Sequence, residues 1–204
     1  MTHTTTTDSF DERITMREQI VQRLRDLAAT ATDAAERIGP DAERAGTMMR
    51  DVVRRGGTLF FCGNGGSAAD AQHMATEYVV RYMKNRRPLA AVALTTDTSL
   101  LTAMGNDFGF DEIFSRQVDA LVTDRDLLII HSTSGNSPNV VKAAEAAHRK
   151  GAGVVAFSSR DGGALRAVAD HSVIVPTDRT DRAQEIHLCI EHAICEIIEA
   201  ELTS

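Results

Sequence analysis

The sequence has few cysteines, no apolar run of membrane-spanning length and no excess of positive charge. Each shortage removes a class of function. Cys62, Cys189 and Cys195 leave an odd thiol over and show no Cys-x-x-Cys spacing. A disulfide framework is therefore not expected, and a reducing cytoplasm is the expected compartment. No stretch approaches the roughly 18 apolar residues of a transmembrane helix. The formal charge of −7 argues against a general binder of nucleic acid or anionic membrane. The opening MTHTTTTDSFDER lacks the basic and then apolar pattern of a secretory signal. Residues 1–8 read as a polar leader and 9–204 as a single domain, long enough for an α/β core.

Apolar residues fall at helical spacing from about 9 to 38: Ile14, Ile20, Val21, Leu24, Leu27, Ala28 and Ala31. Gly39–Pro40 is expected to break this helix, and a second is expected from about Asp41 to Arg54. Five apolar runs follow: TLFFCG (58–63), LAAVAL (89–94), DLLIIH (126–131), GVVAFS (153–158) and HSVIVP (171–176). They are continuous rather than alternating, as in parallel strands covered on both faces. Helical patterns separate them at 67–83, about 98–121, 137–150 and 163–169, and a long one spans about 180–202. This alternation predicts a three-layer α/β/α sandwich around a five-stranded parallel sheet, with added N-terminal helices. Such sheets bind ligands beyond the carboxyl ends of their strands, so the turns there matter most.

The first such turn is CGNGGSAAD (62–70). Asn64, Gly65, Gly66 and Ser67 can bring backbone N–H groups and a helix N-terminus to an anion, with Ser67 or a neighbour as cap. There is no lysine for a P-loop. Gly63, Gly65 and Ala68 meet the dinucleotide pattern formally, but the acidic residue expected about 20 positions on is missing. The second turn is HSTSGNSPNV (131–140). Ser132, Thr133, Ser134 and Ser137 supply four hydroxyls before Pro138, which is pre-organised for a first helical position. Hydroxyls and helix N–H groups make a neutral phosphate cradle. The pair describes a sugar-phosphate site better than a nucleotide site.

With GNDFGFDEIFSRQ (105–117), DGGAL (161–165) and DRAQEIHLCIEH (181–192), these turns resemble the phosphoheptose isomerases, a branch of the sugar isomerase (SIS) domain proteins. The resemblance spans about residues 40–200. It implies the flavodoxin-like SIS fold and conversion of D-sedoheptulose 7-phosphate to D-glycero-D-manno-heptose 7-phosphate through an enediol. It implies a cytoplasmic homo-oligomer, a tetramer, that buries N-terminal helices between subunits near the active site. The related alternatives are a non-catalytic SIS scaffold that binds the replication initiator and a sugar-phosphate-binding regulatory module. The scaffold proteins lack a histidine matching His192, and the modules are usually fused to a DNA-binding domain.

His73 and Glu77 are four residues apart and share a helix face. Gln184 and His192 are eight apart on the last helix, roughly 12 Å along its axis. The resemblance implies that Glu77 and His192 are the acid/base pair. It also implies that His73, Glu77, Gln184 and His192 hold one Zn²⁺ per subunit, a donor set that suits this ion. Asn64, Arg81, Asp97, Thr133 and Asp181 match residues lining the sugar or phosphate pocket. An aldose–ketose exchange moves a proton between neighbouring carbons, so it needs one group to remove it and another to serve the oxygen. Glu77 cannot be a tight ligand and a free base at once, so its metal bond must be loose or must exchange. His187 matches no ligand and is expected to be structural or solvent-facing. The apolar residues of 105–114 are expected to pack or to meet another subunit. Near 180, where the family often carries an aromatic residue, this chain has DRTDR.

Overall fold

The structure, a computed structural model, describes residues 14–203. The expected leader and the expected helix start near residue 9 lie outside them. The first element is α1 (Met16–Arg54). Thr15 and Glu18 form a reciprocal cap, Thr15 N–H donating to Glu18 at 2.8 Å and Glu18 N–H to Thr15 Oγ1 at 3.2 Å.

The expected break at Gly39–Pro40 does not occur: α1 is one helix of 39 residues with Pro40 inside it. Proline removes one N–H and costs about 3 kcal/mol in a helix interior. Here Pro40 and Glu36, whose carbonyl loses its partner, both face water. Ala34, Ile38, Ala45, Met49 and Val52 carry one buried face straight through the site, and that packing outweighs the local penalty. Before Ala34 no residue of α1 is buried, and Ile14, Met16, Ile20 and Leu24 are exposed.

The strands are β1 (Leu59–Gly63), β2 (Ala91–Ala93), β3 (Leu127–His131), β4 (Gly153–Ser159) and β5 (His171–Val175). They form one parallel sheet in the order β2-β1-β3-β4-β5. Side chains alternate between two cores. Phe61, Ile129, Val155 and Phe157 face the side of α1, α2 (Gly66–Val79) and α7 (Thr180–Thr203). Phe60, Cys62, Leu128 and Ile130 face α4 (Ser115–Leu121) and α5 (Pro138–Arg149). The two covered faces explain why the central strands are apolar without interruption.

Two helices are shorter than their patterns predict. The 98–121 stretch divides into α3 (Thr98–Asp107), a 3-10 turn (Phe110–Glu112) and α4. Gly109 at φ +90° makes the division, a conformation that helix excludes. Ile113 and Phe114 are buried there, while Phe108 and Phe110 stay exposed. The 67–83 stretch ends at Val79. A short α6 (Leu165–Val168) precedes β5.

Replacing Pro40 by Ala restores a backbone donor to the helix at an exposed position. The expected outcome in urea unfolding is a gain of about 2 kcal/mol, the proline penalty of about 3 less the roughly 0.4–1 kcal/mol of added freedom in the unfolded chain. A variant less stable than the parent refutes the view that Pro40 is tolerated at a cost.

Candidate active site

β1 and β3 are neighbours from which the chain departs to opposite faces, and their ends pair Gly63 with His131. This is the switch point of the sheet, where both suspect turns emerge. Asn64 and Asn139 exchange two side-chain amide bonds of 2.9 and 2.8 Å across it. They lock the first turn to the start of α5.

In the first turn Gly65 is the N-cap of α2, with no side-chain cap. Of the expected alternatives, Ser67 or a neighbour, the neighbour Gly65 is the cap, and Ser67 lies inside the helix. Its Oγ instead accepts a 3.5 Å bond from the Gln184 amide. Gln184 lies so close to the turn that a Cβ on Gly66 would fall 2.6 Å from its nitrogen.

The second turn is buttressed from behind. Thr133 O accepts from Ser159 N–H at 3.2 Å and from Ser159 Oγ at 2.8 Å. Gly135 has φ +65°, and a Cβ there would meet Gly162 O at 1.9 Å. Leu165 N–H donates to Gly135 O, and Ala164 N–H to Asn136 Oδ1, both at 2.9 Å. The DGGAL segment thus shapes the hydroxyl turn without belonging to it. Ser134 Oγ accepts from Asn136 N–H at 3.2 Å. Ser137 is the N-cap of α5 but makes no side-chain capping bond, so its hydroxyl is free for a ligand.

Below the first turn α2 and α7 run side by side. His73 Nε2 is 3.2 Å from Glu77 Oε1 and 3.2 Å from His192 Nε2. The three donor atoms lie within 4.8 Å of one another. Two ligands at about 2.0–2.1 Å from a tetrahedral zinc stand about 3.3 Å apart, so the imidazole spacing fits a metal pair. Gln184 is two turns higher on α7 at Ser67. Asp97 caps α3 through Leu100 N–H at 2.9 Å. Arg81 is exposed in the loop after α2. Asp181 sits in the first turn of α7 and pairs with Arg179, whose hydrogen bonds lower its carboxyl to about 2.

Several participants had no sequence reading. Tyr82 stacks on His192, ring centres 5.3 Å apart at 19°; the expected helix through 83 hid its loop. Asp70, one turn before His73, has a buried oxygen without a partner, and burial raises its carboxyl. His131 and Glu191 form a fully buried pair at 2.7 Å. Burial pushes the His131 imidazole down, but the Glu191 carboxylate, aided by Asp70, outweighs it and the net direction is up. The signal was a lone polar residue ending DLLIIH and two polar residues, His187 and Glu191, one turn apart on the buried face of α7. His187 is buried, and its Nε2–H donates to Ser158 O at 2.9 Å. Burial lowers it to about 3, so it is a neutral structural histidine.

Residues 21–159 match the SIS domain family. The chain is 48% identical over 187 residues to a phosphoheptose isomerase from Geobacter sp. (strain M21), covering 92% of this chain and 97% of that one. It is also similar to the solved phosphoheptose isomerase of Neisseria gonorrhoeae: TM-score 0.85, 43% identity, 91% of this chain and 100% of that one. The solved phosphoheptose isomerase of Francisella tularensis gives a TM-score of 0.87 at 34% identity, covering 91% and 99%.

Glu191→Gln removes the charge that holds the proton on His131. A loss of about 1–3 kcal/mol is expected in urea unfolding at pH 6. The folded pKa of His131 is raised above an unfolded value of about 6.5, so its contribution is complete below that pH and drains as pH rises through the folded value. The gap between parent and variant should therefore shrink toward pH 9. A gap that widens with pH contradicts the charged pair.

Proposed function

We propose a reaction and its residues from one premise: the chain belongs to the SIS-domain family and, within it, to the phosphoheptose isomerases. It is an aldose–ketose isomerase acting on sedoheptulose 7-phosphate in heptose biosynthesis. We assign D-glycero-D-manno-heptose 7-phosphate as the product. The observation that carries the assignment of reacting groups is the meeting of Glu77 and His192 beside His73. From Gly66 to His73 is about 10 Å along α2, a span comparable to an extended seven-carbon chain with its phosphate.

The phosphate is assigned to Ser132, Thr133, Ser134 and Ser137 with the start of α5, helped by Ser67. Asn64, Gly65, Gly66, Arg81, Asp97, Asp181 and Gln184 are assigned to the sugar. Glu77 takes the proton from C1 of the ketose while His192 gives a proton to the C2 oxygen, which leaves an enediol. Glu77 then returns a proton to C2 as the C1 oxygen loses its own to His192, and the aldose results. Zinc fits the donor set of His73, Glu77 and His192. Gln184, whose amide lies against Ser67 and Gly66, would have to turn away from them to serve as the fourth ligand, and Glu77 would have to leave the metal to act as base. When bound, zinc supplies Lewis acidity toward the developing oxyanion. Tyr82 holds the His192 ring by stacking.

We also propose a cytoplasmic homotetramer with residues 9–204 as one domain. The exposed Ile14, Met16, Ile20 and Leu24 of α1 support an interface there. A monomer in light scattering at micromolar concentration contradicts it.

The deciding experiment incubates the metal-defined protein with sedoheptulose 7-phosphate and follows the aldose phosphate. Glu77→Gln should lower turnover by at least about 10²-fold, and His192→Asn should leave a folded, inactive protein. His73→Ala should lower zinc content, with partial recovery on added zinc. Near-normal turnover in both Glu77→Gln and His192→Asn rejects the assigned roles. A parent protein inactive with and without zinc favours the scaffold reading.

A further inference from the structure

Glu77 and His192 sit on different helices, so the gap between them is set by whatever fixes α2 against α7. A buried ion pair at the far end of both helices does this. Arg86 lies in the segment after α2, and Glu199 lies two turns beyond His192 on α7. Their side chains are each 2% exposed, with Arg86 Nε 3.1 Å from Glu199 Oε1 but off the hydrogen-bond direction. The other end of the guanidinium closes α2. Nη2 donates to Glu77 O at 2.7 Å and Nη1 to Tyr78 O at 2.8 Å, two carbonyls of its last turn. These are acceptors a helix leaves open at its C-terminus, and a cation is favoured there.

Glu199 in turn accepts three successive backbone donors: Tyr82 N–H at 2.9 Å, Met83 N–H at 2.6 Å and Lys84 N–H at 2.7 Å. Burial alone would raise this carboxyl, but those N–H groups and Arg86 outweigh it and lower it. The carboxylate therefore stays charged inside the protein. It folds the segment after α2 over α7, and Tyr82 lands on the His192 ring.

We propose that Arg86 and Glu199 are positioning residues for the isomerase reaction: together they clamp the end of α2 to α7 and hold Tyr82 against His192, and so set the separation of Glu77 from His192. The proposal rests on Glu77 and His192 carrying the proton transfers. The clamp touches no residue of the hydroxyl turn, so its loss should spare phosphate binding. Misplacement of a catalytic group by 1 Å costs up to about 10²-fold in rate. A general loss of structure would instead alter substrate affinity and turnover together.

The test compares parent, Glu199→Gln and Arg86→Lys with sedoheptulose 7-phosphate, well below each protein's melting temperature. Gln puts a donor against backbone donors, and Lys cannot span two carbonyls and a carboxylate. Both variants should lose about 10- to 100-fold in kcat with KM within about threefold of the parent. Folded variants that keep the parent's kcat, or whose KM rises as much as kcat falls, overturn the proposal. If neither variant folds, Tyr82→Ala and Tyr82→Phe decide it. Phe keeps the stack and should keep kcat, Ala should lose about tenfold in kcat, and parent-like kcat in Tyr82→Ala overturns the clamp. An inactive parent refutes the isomerase reading instead. An active parent with an active Glu77→Gln refutes only the assigned roles.

Discussion

Glu191 and His131 meet at the top of the sheet with both side chains sealed from solvent. Neither group can be left there alone, since an unpaired buried charge costs several kcal/mol. The pair therefore fixes the rotation of α7 about its axis. Consecutive helix residues are about 100° apart, so when Glu191 faces the sheet, His192 must face sideways, toward α2. His187, one turn earlier, supports the same rotation by its bond to Ser158 O on the neighbouring strand. The histidine assigned to the reaction is aimed by the residue next to it.

α2 is fixed from both ends as well. At its start the backbone leaves β1 through glycines, and Asn64 is held by Asn139. At its end the last carbonyls are taken by Arg86. Between these fixed points His73 and Glu77 project from one face. The hydroxyl turn belongs to the other side of the switch point and rests on the Gly162–Gly163 segment. The site is thus assembled from two rigid halves that meet at paired strands, rather than from one mobile loop.

How much of this was legible in the sequence follows from how local each feature is. The central strands β1, β3 and β4 were legible because both of their faces are covered, which leaves unbroken apolar runs; the edge strands β2 and β5 are partly open to solvent and were legible from their apolar runs alone. His73 and Glu77 were legible because their spacing is one helical turn, and the hydroxyl turn because its residues are contiguous. The continuity of α1 was not legible: Pro40 is a local signal to stop, and the packing that overrides it comes from other elements. Tyr82, Arg86 and Glu199 were hidden for the same reason. Nothing in RYMKNRRP announces that a glutamate 115 to 117 residues later will gather three of its amides. The assignment of Glu77 and His192 as reacting groups came from resemblance, since spacing alone cannot say that α2 and α7 are neighbours.

The parallel sheet has a consequence for how the chain reaches this state. Leu59 pairs with Leu127, and His131 finds Glu191 60 residues further on. No strand can be completed by a hairpin with its successor. The entropy of closing long loops must be spent before the central contacts form, and topologies of this kind fold slowly for their size. During that delay the apolar centre strands are open, so the interval between synthesis and closure of the sheet is when this chain is most exposed to aggregation.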